Sequence, residues 1–65
     1  MQNFLTLHQT GEAILVNAGQ IQSIWAGADY SDDGSTIYFA GEPDGLSVDE
    51  SFEDIMTLIE IAEHG

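Results

Sequence analysis

The 65-residue chain carries twelve Asp and Glu, two His, no Lys or Arg and no Cys, giving a formal net charge of −12. Disulfides and thiolate sites are excluded, as are Lys or Arg ion pairs within the chain. Direct binding to nucleic acid or to an anionic membrane is disfavoured, because both need cations set against phosphate.

An apolar fraction of 43% argues for a packed core and against wholesale disorder. The length predicts a single domain over residues 1–65, near the lower limit for independent folding. Average composition would place about seven Lys and Arg in this length, so their absence is the chain's most unusual property. Self-repulsion is expected to destabilise the monomer at low ionic strength. No apolar run approaches the roughly 20 residues of a membrane span. The start, Met1-Gln2-Asn3-Phe4, lacks the basic region of a signal peptide, so the expected location is cytoplasmic, or the host cytoplasm for a phage-encoded chain.

In chain order, residues 3–8 predict a strand, with Leu5 and Leu7 on one face and Phe4, Thr6 and His8 on the other. Gln9-Thr10-Gly11-Glu12 predicts a turn, Gly11 suiting a positive φ. Residues 13–16 predict a second, antiparallel strand, and Asn17-Ala18-Gly19-Gln20 a single helical turn. Residues 21–28 resume as a strand, where alternation sets Ile21, Ser23 and Trp25 against Gln22, Ile24 and Ala26. Residues 29–34 are expected as a polar loop. Residues 35–40 predict a fourth strand, 41–45 a loop around Pro43, and Leu46 and Val48 a brief extended segment.

The strongest periodic signal follows. Phe52, Ile55, Met56, Ile59 and Ala62 recur at i, i+3, i+4, i+7 and i+10, predicting an amphipathic helix over residues 49–63. Ser51 with Asp54 fits a shortened capping box, and Ser47 with Glu50 a competing start one turn earlier. Glu60 and Glu63 sit where the helix dipole disfavours acids. The expected fold is therefore α+β: a small antiparallel meander of about four strands covered by one C-terminal helix. Phe4, Leu15, Tyr38 and one of Ile24 or Trp25 are left on the far face. The first strand carries no charge to protect an edge. That face or edge is expected to be covered by a second copy, giving a homo-oligomer, or by a partner.

Three constellations bear on chemistry. Asp29, Ser31 and Asp33, followed by Gly34, fall at the first, third, fifth and sixth positions of a calcium loop, but the twelfth is Ala40 instead of a bidentate Glu. A polar turn is the preferred reading. His8 and His64 are the sole imidazole ligand candidates, and a zinc site would need recruited carboxylates. The adjacent acids Asp32-Asp33, Asp49-Glu50 and Glu53-Asp54 lack the contrasting environments that acid–base catalysis requires. No enzyme activity, cofactor or metal is expected.

The acids are the better functional signal. Glu42, Asp44, Asp49, Glu50, Glu53 and Asp54 fall on one loop and the helix after it. They are expected to form one surface that resembles a run of phosphates to a basic protein. Phe4, Leu15, Trp25 and Tyr38 are the candidate apolar contacts.

The order of features resembles the FlbD-like family of small flagellar and phage proteins. The shared pattern lies in Val16-Asn17, Ile21-Gln22-Ser23-Ile24, Thr36-Ile37-Tyr38-Phe39 and Val48-Asp49-Glu50-Ser51-Phe52-Glu53-Asp54-Ile55. The family usually carries lysines, and its loop at 29–34 is shorter. The resemblance implies a sheet-plus-helix fold and a non-enzymatic role, and it carries over no functional residue. Together these features predict a small acidic protein-interaction module. Its type is that of phage anti-defence inhibitors, anti-CRISPR proteins and DNA mimics among them, which block a basic surface of a host nucleic-acid-binding enzyme. The alternatives are a homo-oligomeric structural or adaptor subunit and a divalent-cation module.

Overall fold

The computed structural model describes residues 4–64, with the side chains of Glu63 and His64 outside the description. The strand expected from residue 3 and the proposals for His64 and Glu63 extend to that extent beyond the described residues. Five strands and one helix follow in order: β1 (Phe4–Gln9), β2 (Glu12–Asn17), a 3₁₀ turn (Ala18–Gln20), β3 (Ile21–Ala28), β4 (Ser31–Phe39), β5 (Leu46–Val48) and α1 (Phe52–His64). The α+β expectation holds. The single four-stranded sheet does not: the strands form an antiparallel β1–β2 hairpin and an antiparallel β3–β4–β5 sheet.

The first hairpin closes through Thr10 and Gly11, with φ of 49° and 89°. Two positive φ values in a two-residue loop match the type I′ turn that suits the twist of paired strands. Gly11 adopts this freely; Thr10, being β-branched, is strained there. The hairpin pairs Gln9 with Glu12, Leu7 with Ile14 and Leu5 with Val16. Leu5, Leu7 and Val16 are buried.

β1 pairs in strand fashion with β2 alone, so its outer side is a sheet edge, as expected, and is covered only near its C-terminal end. On the side away from β2, the His8 carbonyl accepts a hydrogen bond from Asp49 N at 2.6 Å, and Gln9 Nε2 donates to Ser47 O at 2.9 Å. β1 therefore has β2 on one flank and the end of β5 on the other. β2 has no second strand partner among the described residues.

Strict alternation fails in β3. Its register against β4 shifts between Ile21 and Ser23 and again between Ala26 and Ala28. The first irregularity inserts a residue and brings Ile21 and Ile24 into the same phase, so both pack on the core. Trp25 is the residue turned out, 61% exposed.

The expected loop at 29–34 is shorter than the sequence implied. Asp29 and Tyr30 alone make the turn, and β4 starts at Ser31. Gly34 lies inside β4 and is buried. A Cβ there would fall 2.2 Å from the Val48 carbonyl oxygen and 2.9 Å from Ala28 Cβ. Gly34 is thus the residue that lets β4 close on its neighbours, not a turn residue.

The helix begins at Phe52, three residues later than expected. Ser51 caps it: its Oγ accepts from Asp54 N at 3.2 Å, and its carbonyl accepts from Ile55 N at 3.0 Å. Ser47, the competing cap, lies in β5, where its Oγ accepts from Asp29 N. The buried stripe is Ile55, with Leu58, Ile59 and Ala62 packed beside it. Phe52 and Met56, expected on that stripe, are exposed. Leu7, Ile37, Val48 and Ile55 have no exposed surface, each burial being worth on the order of 2 kcal/mol.

Gly34→Ala is therefore expected to destabilise the fold by about 3 kcal/mol through overpacking against backbone, measured by urea unfolding. A change below about 0.5 kcal/mol would contradict the close approach of β4 to Val48.

Candidate functional site

Asp49 and Glu50, between β5 and α1, are the most heavily engaged acids among the described residues. Asp49 Oδ1 accepts from Thr10 N at 3.0 Å and from Tyr30 Oη at 2.6 Å, and Oδ2 accepts from Gly11 N at 2.9 Å. Glu50 Oε1 accepts from His8 N at 2.8 Å, and its Oε2 lies 2.6 Å from His8 Nδ1. A carboxylate only accepts, so Nδ1 carries the shared proton. The Glu50 carbonyl accepts from the buried Ser35 Oγ at 2.8 Å.

Consecutive side chains thus hold the first hairpin onto the three-stranded sheet. Asp49 grips the strained turn at Thr10 and Gly11. Glu50 satisfies the His8 N–H, which points away from β2 and has no strand to pair with. The backbone of the same two residues is also engaged outside the helix, Asp49 N with the His8 carbonyl and the Glu50 carbonyl with Ser35 Oγ, and the helix starts after the Ser51 cap.

The three hydrogen bonds shift Asp49. The Tyr30 hydroxyl first, then Gly11 N, then Thr10 N, hold its carboxyl below the usual carboxylate range, against opposing desolvation. Partial desolvation first, then the bond to Asp49 and its charge, push the Tyr30 phenol above the usual tyrosine range.

The other acids fall into two groups. β4 runs from Ser31 to Phe39, about 26 Å of extended chain. At its Ser31 end lie the turn before Glu12, the turn at Asp29 and Tyr30, and the start of α1, drawn together by the Asp49 contacts. Glu12, Asp29, Asp32, Asp33, Glu53 and Asp54 are all exposed there. Glu42 and Asp44 are exposed on the loop at the Phe39 end. The sequence-derived acidic set is therefore divided. Asp49, Glu50, Glu53 and Asp54 are brought together, with Asp49 and Glu50 occupied internally, while Glu42 and Asp44 stand apart. Glu12, Asp29, Asp32 and Asp33 complete the acidic end and were missed as members of it, because only the fold brings the two turns beside the helix start.

The proposed calcium positions do not converge. Ser31 and Asp33 lie in the extended β4, and Ser31 Oγ accepts from Asp33 N at 3.2 Å. Among the described residues no three His, Asp or Glu side chains are placed to hold one metal ion.

Of the apolar candidates, Phe4, Leu15 and Trp25 are exposed, Leu15 at 67%, while Tyr38 is half-buried. Trp25 Nε1 donates to Ser23 Oγ at 3.3 Å. An open groove of about 550 Å³ runs beside β2. Ile14, Val16, Phe39 and Leu46 supply much of its apolar wall, and Glu42 is its charged residue. No helix is long and apolar enough to cross a membrane among the described residues.

In comparison with known proteins, no family model, curated protein or solved structure matches this chain.

The sign of the pH dependence follows from the two shifted groups. The depressed Asp49 contributes stability that is full above the unfolded carboxylate value of about 3.9 and is lost as pH falls through its lower folded value. The raised Tyr30 contributes stability present below about 10 and lost as pH rises through its higher folded value. Tyr30→Phe is expected to be less stable than wild type at neutral pH. The gap should narrow below about pH 4 and above about pH 10. Urea unfolding across pH checks this; a gap independent of pH would contradict the pairing.

Proposed function

We propose that the chain is a small, non-enzymatic interaction module that occupies a basic surface of a partner protein, of the kind that otherwise holds nucleic-acid phosphate. One observation carries this reading. The fold gathers Glu12, Asp29, Asp32, Asp33, Glu53 and Asp54 at one end, all exposed, in a chain that contains no Lys or Arg to neutralise them.

The reading is strengthened by what Asp49 and Glu50 do. They are spent on holding the hairpin, and that contact brings the two acidic turns beside the helix start. The remaining acids among the described residues are left without structural duty in the side-chain hydrogen bonds, so their charge is free to steer association with a cationic partner. A purely solubilising role would need no such concentration at one end. The mechanism is steric and electrostatic occlusion. A phage-encoded inhibitor of a host nucleic-acid-binding enzyme fits this chemistry, as does any protein that competes with nucleic acid for a basic cleft.

Affinity capture with the chain as bait tests the reading. A basic partner is expected to be retained at ~50 mM salt and released by ~500 mM. Retention should fall at least about tenfold for the combined variant Asp32→Asn, Asp33→Asn, Glu53→Gln and Asp54→Asn. Capture of no basic protein, or retention unchanged by the four substitutions, would overturn it.

A further inference from the structure

The β2 edge offers a second, different kind of contact. In the first hairpin the type I′ closure makes Gln9 and Glu12 a hydrogen-bonded pair. Antiparallel pairing then alternates, so Leu7–Ile14 and Leu5–Val16 also exchange hydrogen bonds across the hairpin. The intervening pairs, His8–Ala13, Thr6–Leu15 and Phe4–Asn17, point their backbone groups away from the hairpin. His8 verifies this phase: its N–H goes to Glu50 and its carbonyl to Asp49 N, both outside the hairpin. By the same alternation, the N–H and C=O groups of Ala13 and Leu15 and the N–H of Asn17 point off the free side of β2, while the Asn17 carbonyl belongs to the 3₁₀ turn that Asn17 caps.

That edge has few protections. It carries no Lys, no Pro and no register shift, and its one charged residue is Glu12 at the start. Leu15 is 67% exposed. The groove lies alongside it, with apolar wall from Ile14, Val16, Phe39 and Leu46 and the carboxylate of Glu42.

Charge decides what can occupy it. A second copy would bring a further formal charge of −12 with no Lys or Arg, so self-pairing works against repulsion at strand-to-strand distances of about 4.8 Å. A cationic strand meets no such barrier. The net charge thus guards the open edge against its own kind while favouring a strand of opposite sign.

We propose that the free edge of β2 and its groove accept an extended, Lys- or Arg-bearing segment of a partner protein as an added strand. Backbone hydrogen bonds would form to Ala13, Leu15 and Asn17, with alternate apolar side chains entering the groove and a cation meeting Glu42. This deepens the reading of a basic partner, on which it rests, by naming a separate docking site from the acidic end.

Amide NMR of the isotope-labelled chain at low salt tests it, using the capped peptide Lys-Val-Lys-Leu-Lys-Val-Lys as probe. Two control peptides accompany it: one N-methylated at alternate backbone nitrogens, and one with Glu in place of Lys. Shift changes are expected at Ala13, Leu15 and Asn17 and over residues 39–46, with slowed exchange at the Leu15 amide. N-methylation should weaken binding about tenfold, corresponding to two lost backbone hydrogen bonds, and the Glu peptide should not bind.

Shifts confined to Glu12, 29–33 and 49–54, equal for the Lys peptide and its N-methylated form, would overturn the edge proposal and leave the basic-partner reading standing. No response to either cationic peptide would overturn both. Edge shifts that grow with protein concentration before any peptide is added would identify a second copy as the occupant and overturn the proposal.

Discussion

The contact on which the rest of the structure depends is the grip of Asp49 and Glu50 on the first hairpin. The β1–β2 pair and the β3–β4–β5 sheet are separate ladders, and a lone two-stranded hairpin is at best marginally stable in water. Leu5, Leu7 and Val16 give it an apolar face to bury, but apolar burial is not directional. Direction comes from the carboxylates. They fix which end of the hairpin meets β5, satisfy the outward N–H of His8, and hold Thr10 in a backbone region that a β-branched residue otherwise avoids.

This arrangement is a consequence of composition. In most domains surface carboxylates find Lys or Arg. Here there are none, so the acids closest to the fold take backbone N–H groups, a Tyr hydroxyl and a His ring as donors. Hydrogen bonds to an ionised acceptor are stronger than neutral ones. The other acids among the described residues have no such outlet and stay on the surface. Structural use of two acids and outward display of the others at the same end therefore have one cause.

Much of the local structure was legible in the sequence. Ser51 with Asp54 marked the helix start because capping acts over three residues, and Gly11 marked the first turn. Ile55, Ile59 and Ala62 were legible as the inward stripe. Phe52 and Met56 were not, because periodicity fixes a face only to within a turn and Leu58 completes the stripe instead. The β3 irregularity was hidden because one inserted residue reverses the alternation that strand reading relies on. Gly34 looked like a turn residue because Asp-Gly usually is one; its role depends on Val48 approaching from 14 positions away in sequence. The acidic site was the least legible part. Asp49 and Glu50 reach donors at His8, Thr10 and Gly11, separated from them by 38 to 42 residues, and no local pattern announces such a contact. Without it, the acids of the two turns could not be assigned to one end of the molecule, and Glu42 and Asp44 were grouped by sequence proximity alone.

Hydrogen exchange at single amides tests this central contact most directly. If Asp49 and Glu50 hold the hairpin, the N–H groups of His8, Thr10 and Gly11 are closed in the native state. They should then exchange slowly, with protection close to that of the Asp49 amide donating to His8. Exchange of Thr10 and Gly11 at the rate of a free turn, while the Asp49 amide stays protected, would show that the carboxylate does not hold the turn and would contradict the account.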